Sequence, residues 1–140
     1  MHTEMKFYFV KLYAYDHAVL FGDMTDDCVK LNGLGQIALE EWQRQSDKYH
    51  DIEIDRWSML PNRLEGIVGV REHLNAGRYS SQYHKPRRLS AFVAGYKAAA
   101  AKRINLHRNE PGSHVWLRSY QERFLPDEAA LEKMRQILSK

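Results

Sequence analysis

Two strand-like stretches around one short turn constrain the fold of this chain more than any other feature. Residues 51–60 alternate apolar and polar side chains and end at Pro61-Asn62, and residues 64–70 form a second, mostly apolar stretch directly afterwards. A connection this short joins antiparallel strands, because parallel strands need a crossover of about a dozen residues or more. The apolar positions change parity between Ile54 and Trp57, which predicts a β-bulge. The fold must therefore include an antiparallel sheet.

The remaining patterns add further strands and helices. Strand patterns cover residues 6–15, 28–31 and 115–125, and apolar residues recur at helical spacing in residues 34–49 and 89–107. These elements predict the α+β class, with an antiparallel sheet of four to five strands sandwiched by helices in a single domain over residues 1–140.

Local signals mark where several elements begin and which way they face. Asn32 is placed to cap the first helix, and Pro126-Asp127 opens a third helix whose inward positions include Ile137. In the strand pattern 115–125, one parity holds the aromatic residues, which predicts a shared buried face for Trp116, Tyr120 and Phe124. Residues 72–87 lack periodicity and are predicted to form a long loop.

Composition excludes several classes of protein. With 44% hydrophobic and 28% charged residues, the 140-residue chain matches a soluble globular protein, and the sequence shows neither a membrane span nor a signal peptide, which predicts a cytoplasmic location. The single cysteine excludes an internal disulfide. The seven histidines show no HxH, HxxxH or HExxH spacing, so no metal site or other cofactor is predicted.

Four segments resemble the HUH single-strand tyrosine transposases, in particular the REP-associated branch. Residues 59–67, Met-Leu-Pro-Asn-Arg-Leu-Glu-Gly-Ile, resemble the strand in which that branch typically has Met-Pro-Asn-His-x-His-Gly-Ile. Residues 31–35 with Glu41-Trp42 resemble the first helix of the family, residues 96–105 its second helix, and residues 115–122 its last strand. The order and spacing agree across nearly the whole chain. The resemblance implies a ferredoxin-like HUH transposase fold.

The same resemblance implies a chemistry that this chain lacks the residues to perform. The family cleaves and rejoins single-stranded DNA at the foot of a hairpin, using Mg²⁺ or Mn²⁺ held by two histidines and a tyrosine that attacks the phosphorus. Here the histidine positions are Arg63 and Glu65, and arginine cannot lose its proton to bind a metal. The two opposite charges are expected to pair instead. The nucleophile position falls at or next to Ile137, and no tyrosine follows Tyr120. The resemblance therefore identifies a degenerate, catalytically inactive member.

Three functional alternatives remain open at this point. The first is a DNA-binding protein that no longer cleaves single-stranded or hairpin DNA. The second is an active transposase with a displaced nucleophile, for which Tyr96 beside Lys97 is the candidate, although Tyr96 shares the apolar stripe of its helix and is better explained as a core residue. The third is a protein-interaction remnant that forms a homodimer through an exposed sheet edge.

Charge distribution favours the first alternative. The net charge is +3, and residues 85–123 hold nine lysines and arginines against two glutamates. Phosphate contacts come from such cations, and bases stack on aromatic rings. The predicted DNA-binding residues are therefore the basic and aromatic side chains of the loop, the second helix and the last strand: Tyr83, Lys85, Arg87, Arg88, Lys97, Lys102, Arg103 and Arg118.

Overall fold

The computed structural model describes residues 3–73 and 87–138, with side chains for 5–71 and 87–138. The elements in chain order are β1 (Thr3–Tyr13), a 3-10 turn (Tyr15–His17), β2 (Gly22–Thr25), β3 (Cys28–Leu31), α1 (Gly33–Ser46), β4 (Ile52–Leu60), β5 (Arg63–His73), α2 (Arg87–His107), β6 (Gln121–Leu125) and α3 (Glu128–Leu138).

The central element is a four-stranded antiparallel sheet in the order β4-β5-β1-β6. Strands β4 and β5 form the predicted hairpin, with Leu60 opposite Arg63, and the predicted bulge lies between Ile54 and Trp57. Without β2 and β3, the chain order is βαββαβ and the first strand lies beside the last, which is the ferredoxin-like arrangement. The α+β prediction is confirmed.

Helices cover both faces of this sheet. On one face, α1 and α2 pack on alternate residues of β1 and β5, and Trp42, Phe92 and Tyr96 are buried in that layer. On the other face, Leu131 and Met134 of α3 pack on Ile67, Leu125 and the partly buried residues Phe7 and Phe9. The second cluster lies toward one end of the strands, so α3 leaves the start of β5 and the end of β1 outside its apolar contact.

Two predicted helix starts are confirmed by their caps. The side chain of Asn32 accepts a hydrogen bond from Gly35 N at 2.9 Å, and Asp127 Oδ1 accepts one from Ala130 N at 2.8 Å. Each cap satisfies a backbone N–H that has no partner within its helix. Within the described residues, no helix is long and apolar enough to cross a membrane.

The prediction of a strand over residues 115–125 was wrong for its first half. Only Gln121–Leu125 forms β6, and Trp116 makes a single isolated bridge with Ala14. Two backbone hydrogen bonds hold the first half beside the end of β1, from Tyr15 N to the Val115 carbonyl at 2.8 Å and from Leu117 N to the Tyr13 carbonyl at 3.0 Å. Lys97 Nζ also donates to the carbonyl of Leu117 at 2.6 Å. Phe124 is 47% exposed, so the predicted shared aromatic face is also wrong there.

Three other predictions need correction or lie outside the described residues. The strand predicted at residues 28–31 exists, but it pairs with β2, which was not predicted, in a separate two-stranded sheet. Ile137 was predicted to face inward and is 53% exposed. Most of the predicted loop at residues 72–87 lies in 74–86, outside the described residues, while residues 72 and 73 extend β5 and residue 87 begins α2.

Candidate functional site

Arg63 and Glu65 lie at the start of β5, directly after the Pro61-Asn62 turn. They are two residues apart on a strand, so both side chains point to one face of the sheet. The register places Arg63 beside Tyr13 and Glu65 beside Lys11 on β1. Because Ile67 on the same parity packs against α3, this is the face that α3 covers only in part.

The two side chains form the predicted ion pair. Arg63 Nε donates to Glu65 Oε2 at 2.7 Å, and Arg63 Nη1 donates to Asn62 Oδ1 at 2.9 Å. Lys11 Nζ lies 3.9 Å from the same carboxylate oxygen. The side chains of Arg63 and Lys11 are 28% and 33% exposed, so water screens these pairs and each contributes no more than about 1 kcal/mol to stability.

A divalent metal ion does not fit these residues. Glu65 is the only carboxylate in the group formed by Lys11, Arg63 and Glu65, and the two cations beside it repel a metal ion. Magnesium and manganese need several oxygen ligands or imidazoles in one place. No group of three His, Cys, Asp or Glu residues with metal-binding geometry occurs in the part of the chain that the structure describes.

Neither tyrosine position considered for the nucleophile offers an accessible hydroxyl. Ile137 is aliphatic and exposed near the end of α3. Tyr96 is fully buried, and its hydroxyl donates to the carbonyl of Ala38 at 2.8 Å. Burial, with a smaller effect from Glu41, raises the pKa of Tyr96 well above its ordinary value. The phenol therefore stays neutral in the core, which argues against a displaced nucleophile there.

The structure divides the predicted DNA-binding residues into three groups. Tyr83 and Lys85 lie outside the described residues. Arg88 pairs with Asp51, Lys97 donates to the backbone carbonyls of Leu117 and Arg118, and Arg103 pairs with Glu40 and Glu41. These three cations thus have structural partners.

The third group is available for an external ligand. Arg87, Lys102 and Arg118 are exposed, and none of them has an ion pair among residues 3–73 and 87–138. Arg87 and Lys102 belong to α2, in the layer that covers the opposite sheet face from Arg63. Arg87 and Lys102 therefore lie on the side of the sheet away from Arg63 and Glu65.

Sequence reasoning missed the residues that surround Arg63 and Glu65. A shallow pocket of about 290 Å³ on this side of the sheet is lined by Phe9, Lys11, Gln121, Glu122 and Arg123. Lys11 pairs across the sheet with Gln121, and Phe9 pairs with Arg123. The alternation in β1 shows that Phe9, Lys11 and Tyr13 share a face, but nothing in the sequence gives the β1–β6 register.

Comparison with known proteins supports the fold. The structure of a REP-associated tyrosine transposase bound to a REP hairpin aligns with a TM-score of 0.52 at 10% identity, over 95% of this chain and 62% of that protein. At this identity the likeness establishes a shared fold. This chain has a transposase-like α+β fold and spans less than two thirds of that transposase.

Other comparisons add less. No protein-family profile matches the chain. An uncharacterized protein of Haemophilus influenzae Rd is 24% identical over 131 residues, which is 87% of this chain and 72% of that protein. A transposase candidate from Deinococcus radiodurans R1 aligns over 99% of this chain and 91% of that one at 19% identity, but its TM-score of 0.48 is too low to assign a fold.

Proposed function

We propose that this protein binds single-stranded or hairpin DNA and does not cleave it. The observation that carries the proposal is the ion pair between Arg63 and Glu65. This ion pair occupies the strand positions where the HUH single-strand tyrosine transposases, which the sequence resembles, have their two metal-binding histidines.

Two further features support the absence of cleavage. Phosphoryl transfer to a tyrosine needs an electrophilic cation on the phosphate and an accessible nucleophile. Arg63 and Lys11, which flank the Glu65 carboxylate, repel such a cation. The position expected for the nucleophile is at or next to Ile137, which has no hydroxyl, and the phenol of Tyr96 is buried.

Two other features support DNA as the partner. The transposase with the shared fold is bound to a DNA hairpin. In this chain, Arg87, Lys102 and Arg118 are exposed cations within a strongly basic stretch. Exposed cations attract phosphates without a metal and without any strand-cleaving chemistry.

We expect binding to hairpin and single-stranded oligonucleotides that weakens steeply with salt. Each phosphate contact releases counterions, so the logarithm of the affinity should fall with the logarithm of salt concentration by roughly 0.7 per contact on a single strand. Three contacts predict a slope of about −2. Fluorescence anisotropy between low and physiological salt measures this slope. An affinity that does not change with salt concentration, or binding that is undetectable near physiological ionic strength, contradicts the proposed DNA binding.

The homodimer alternative has weaker support. Among the strands that the structure describes, β6 pairs with β1 alone and forms one edge of the main sheet. Its five residues include Glu122 and Arg123, and charged side chains on a short edge strand oppose pairing with another sheet. The homodimer therefore stays a prediction. The cytoplasmic location also stays a prediction.

A further inference from the structure

We propose that the sheet face around Arg63 holds the phosphodiester backbone of a nucleic-acid single strand, with Lys11, Arg63 and Arg123 as the phosphate-binding residues. This proposal rests on the proposed function and gives DNA a binding surface distinct from α2. At the strand positions where the family has metal-binding histidines, cationic side chains contact the phosphate in place of a metal ion.

The sheet register places the three cations on a diagonal. Arg63 lies on β5, Lys11 is on β1 one step further along, and Arg123 is on β6 another step along, since Lys11 is opposite Glu65 and Phe9 is opposite Arg123. Neighbouring strands are about 4.8 Å apart and residues two positions apart are separated by about 6.7 Å, so successive Cα atoms on the diagonal are roughly 8 Å apart. The cations thus form a row across three strands.

These cations retain donors for an external phosphate. The Arg63 guanidinium has five N–H groups, of which one points to Glu65 and one to Asn62. Lys11 Nζ is 3.9 Å from Glu65, which is too long for a hydrogen bond. Arg123 is exposed and has no ion pair within the described residues. The three cations outnumber the two nearby carboxylates, Glu65 and the Glu122 of the same pocket, so these five side chains carry a small net positive charge.

Aromatic rings continue the row beyond Arg63. The Tyr13 ring contacts both the guanidinium of Arg63, whose Cζ is 5.8 Å from the ring centroid, and the ring of His17, whose centroid is 4.7 Å away. Tyr15 stacks on His114 at 4.7 Å and 19°, yet it remains 48% exposed. An exposed ring such as that of Tyr15, two residues beyond Tyr13 in the chain, offers a face on which a base of a single strand can stack.

The backbone that carries these rings adopts an unusual conformation. Asp16 and His17 have φ values of 58° and 53°, in the left-handed region that non-glycine residues rarely occupy. A hydrogen bond from His17 N to the Ala14 carbonyl at 2.9 Å closes this turn. The turn places the His17 ring against Tyr13 and leaves Tyr15 exposed two residues beyond Tyr13 in the chain.

Matched double variants separate this face from α2. Lys11→Gln with Arg123→Gln removes two charges from the proposed surface, and Lys102→Gln with Arg118→Gln removes two from the other group of exposed cations. All four side chains lie at partly or fully exposed positions, so both variants should fold, which circular dichroism checks. Binding is measured with a single-stranded oligonucleotide across salt.

We expect the Lys11/Arg123 variant to bind at least tenfold more weakly and to lose about 1.4 from the magnitude of the salt slope. The Lys102/Arg118 variant should change less on both measures. Tyr15→Ala should weaken binding by about tenfold without changing the slope, because stacking is not an ionic contact.

Three results overturn the proposal. Equal losses in the two double variants, or a larger loss in the Lys102/Arg118 variant, place the strand elsewhere and leave the proposed function intact. Failure of the unsubstituted protein to bind any oligonucleotide removes both the proposed function and this surface.

Discussion

Replacing Gly35 by alanine is expected to lower the free energy of unfolding by about 3 kcal/mol, the upper part of the usual range for an overpacked core site. The first turn of α1 lies so close to the loop before β2 that an added Cβ would be 2.1 Å from the carbonyl oxygen of Phe21. That oxygen belongs to the backbone, so it cannot turn away as a side chain would. For a chain of this size the melting temperature should fall by roughly 10 °C.

Gly33→Ala is the matched control, two residues earlier in the same helix. A Cβ there would be 3.2 Å from Nε2 of His107, and this side-chain tip can rotate. Alanine also favours the helix over glycine, by up to about 1 kcal/mol. Thermal unfolding of both variants should show a large loss for Gly35→Ala and a change near zero or a slight gain for Gly33→Ala. Similar losses in both would contradict the close contact with Phe21.

Arg103→Gln is expected to destabilise the protein by about 2 kcal/mol, because a buried carboxylate would lose a cationic partner. Glu41 is only 2% exposed. The guanidinium of Arg103 lies 3.6 Å from Glu41 and 2.9 Å from Glu40. The adjacent Lys102→Gln should leave stability within about 0.5 kcal/mol, since its side chain is at the surface. Urea unfolding of the two variants measures the difference.

The double substitution Glu41→Gln with Arg103→Gln is the second check. In the single variant Arg44 Nη1, 3.3 Å from Glu41 Oε1, remains as the other cationic partner. Removing the buried charge together with Arg103 should recover part of the loss, because a neutral amide costs less to bury than a carboxylate that has lost one of its two cations. If Arg103→Gln proves as stable as Lys102→Gln, Arg103 has no structural role. It would then return to the group of cations available for DNA.

The main features of the fold could be predicted because they depend on local patterns. Alternation and the Pro61-Asn62 turn predicted the β4–β5 hairpin, and the parity change at Trp57 predicted its bulge. Asn32 and Asp127 marked two helix starts, since a cap needs only a side-chain oxygen at the right position.

Features that depend on distant contacts could not be predicted. Residues before β6 have strand-like alternation and lie beside β1. However, five positions separate Trp116 from Gln121 and only three separate their partners Ala14 and Lys11, so the chain bulges out and the ladder is interrupted. Strand β2 has no alternation of its own and forms only because β3 folds back on it. The turn between them uses Asp26 and Asp27, both with positive φ, where an Asn-Gly or Asp-Gly pair would have given a stronger signal.

The candidate site was predictable in part for the same reason. The spacing of Arg63 and Glu65 predicts that they lie on one face, and their opposite charges predict that they pair. The contributions of Lys11 and Arg123 depend on the β1–β5 and β1–β6 registers. The roles of Lys97 and Arg103 depend on contacts with residues 20 or more positions away, which a count of basic residues cannot reveal.

Under the proposed function, the protein holds DNA with cationic side chains and forms no covalent bond to it. The most direct measurement incubates the protein with a labelled hairpin oligonucleotide that it binds, in the presence of Mg²⁺ or Mn²⁺, and separates the products on a denaturing gel. We predict intact oligonucleotide and no band that contains both protein and DNA. A covalent protein–DNA band that requires the metal ion would contradict the proposed absence of cleavage. Loss of that band in Tyr96→Phe would identify Tyr96 as the displaced nucleophile.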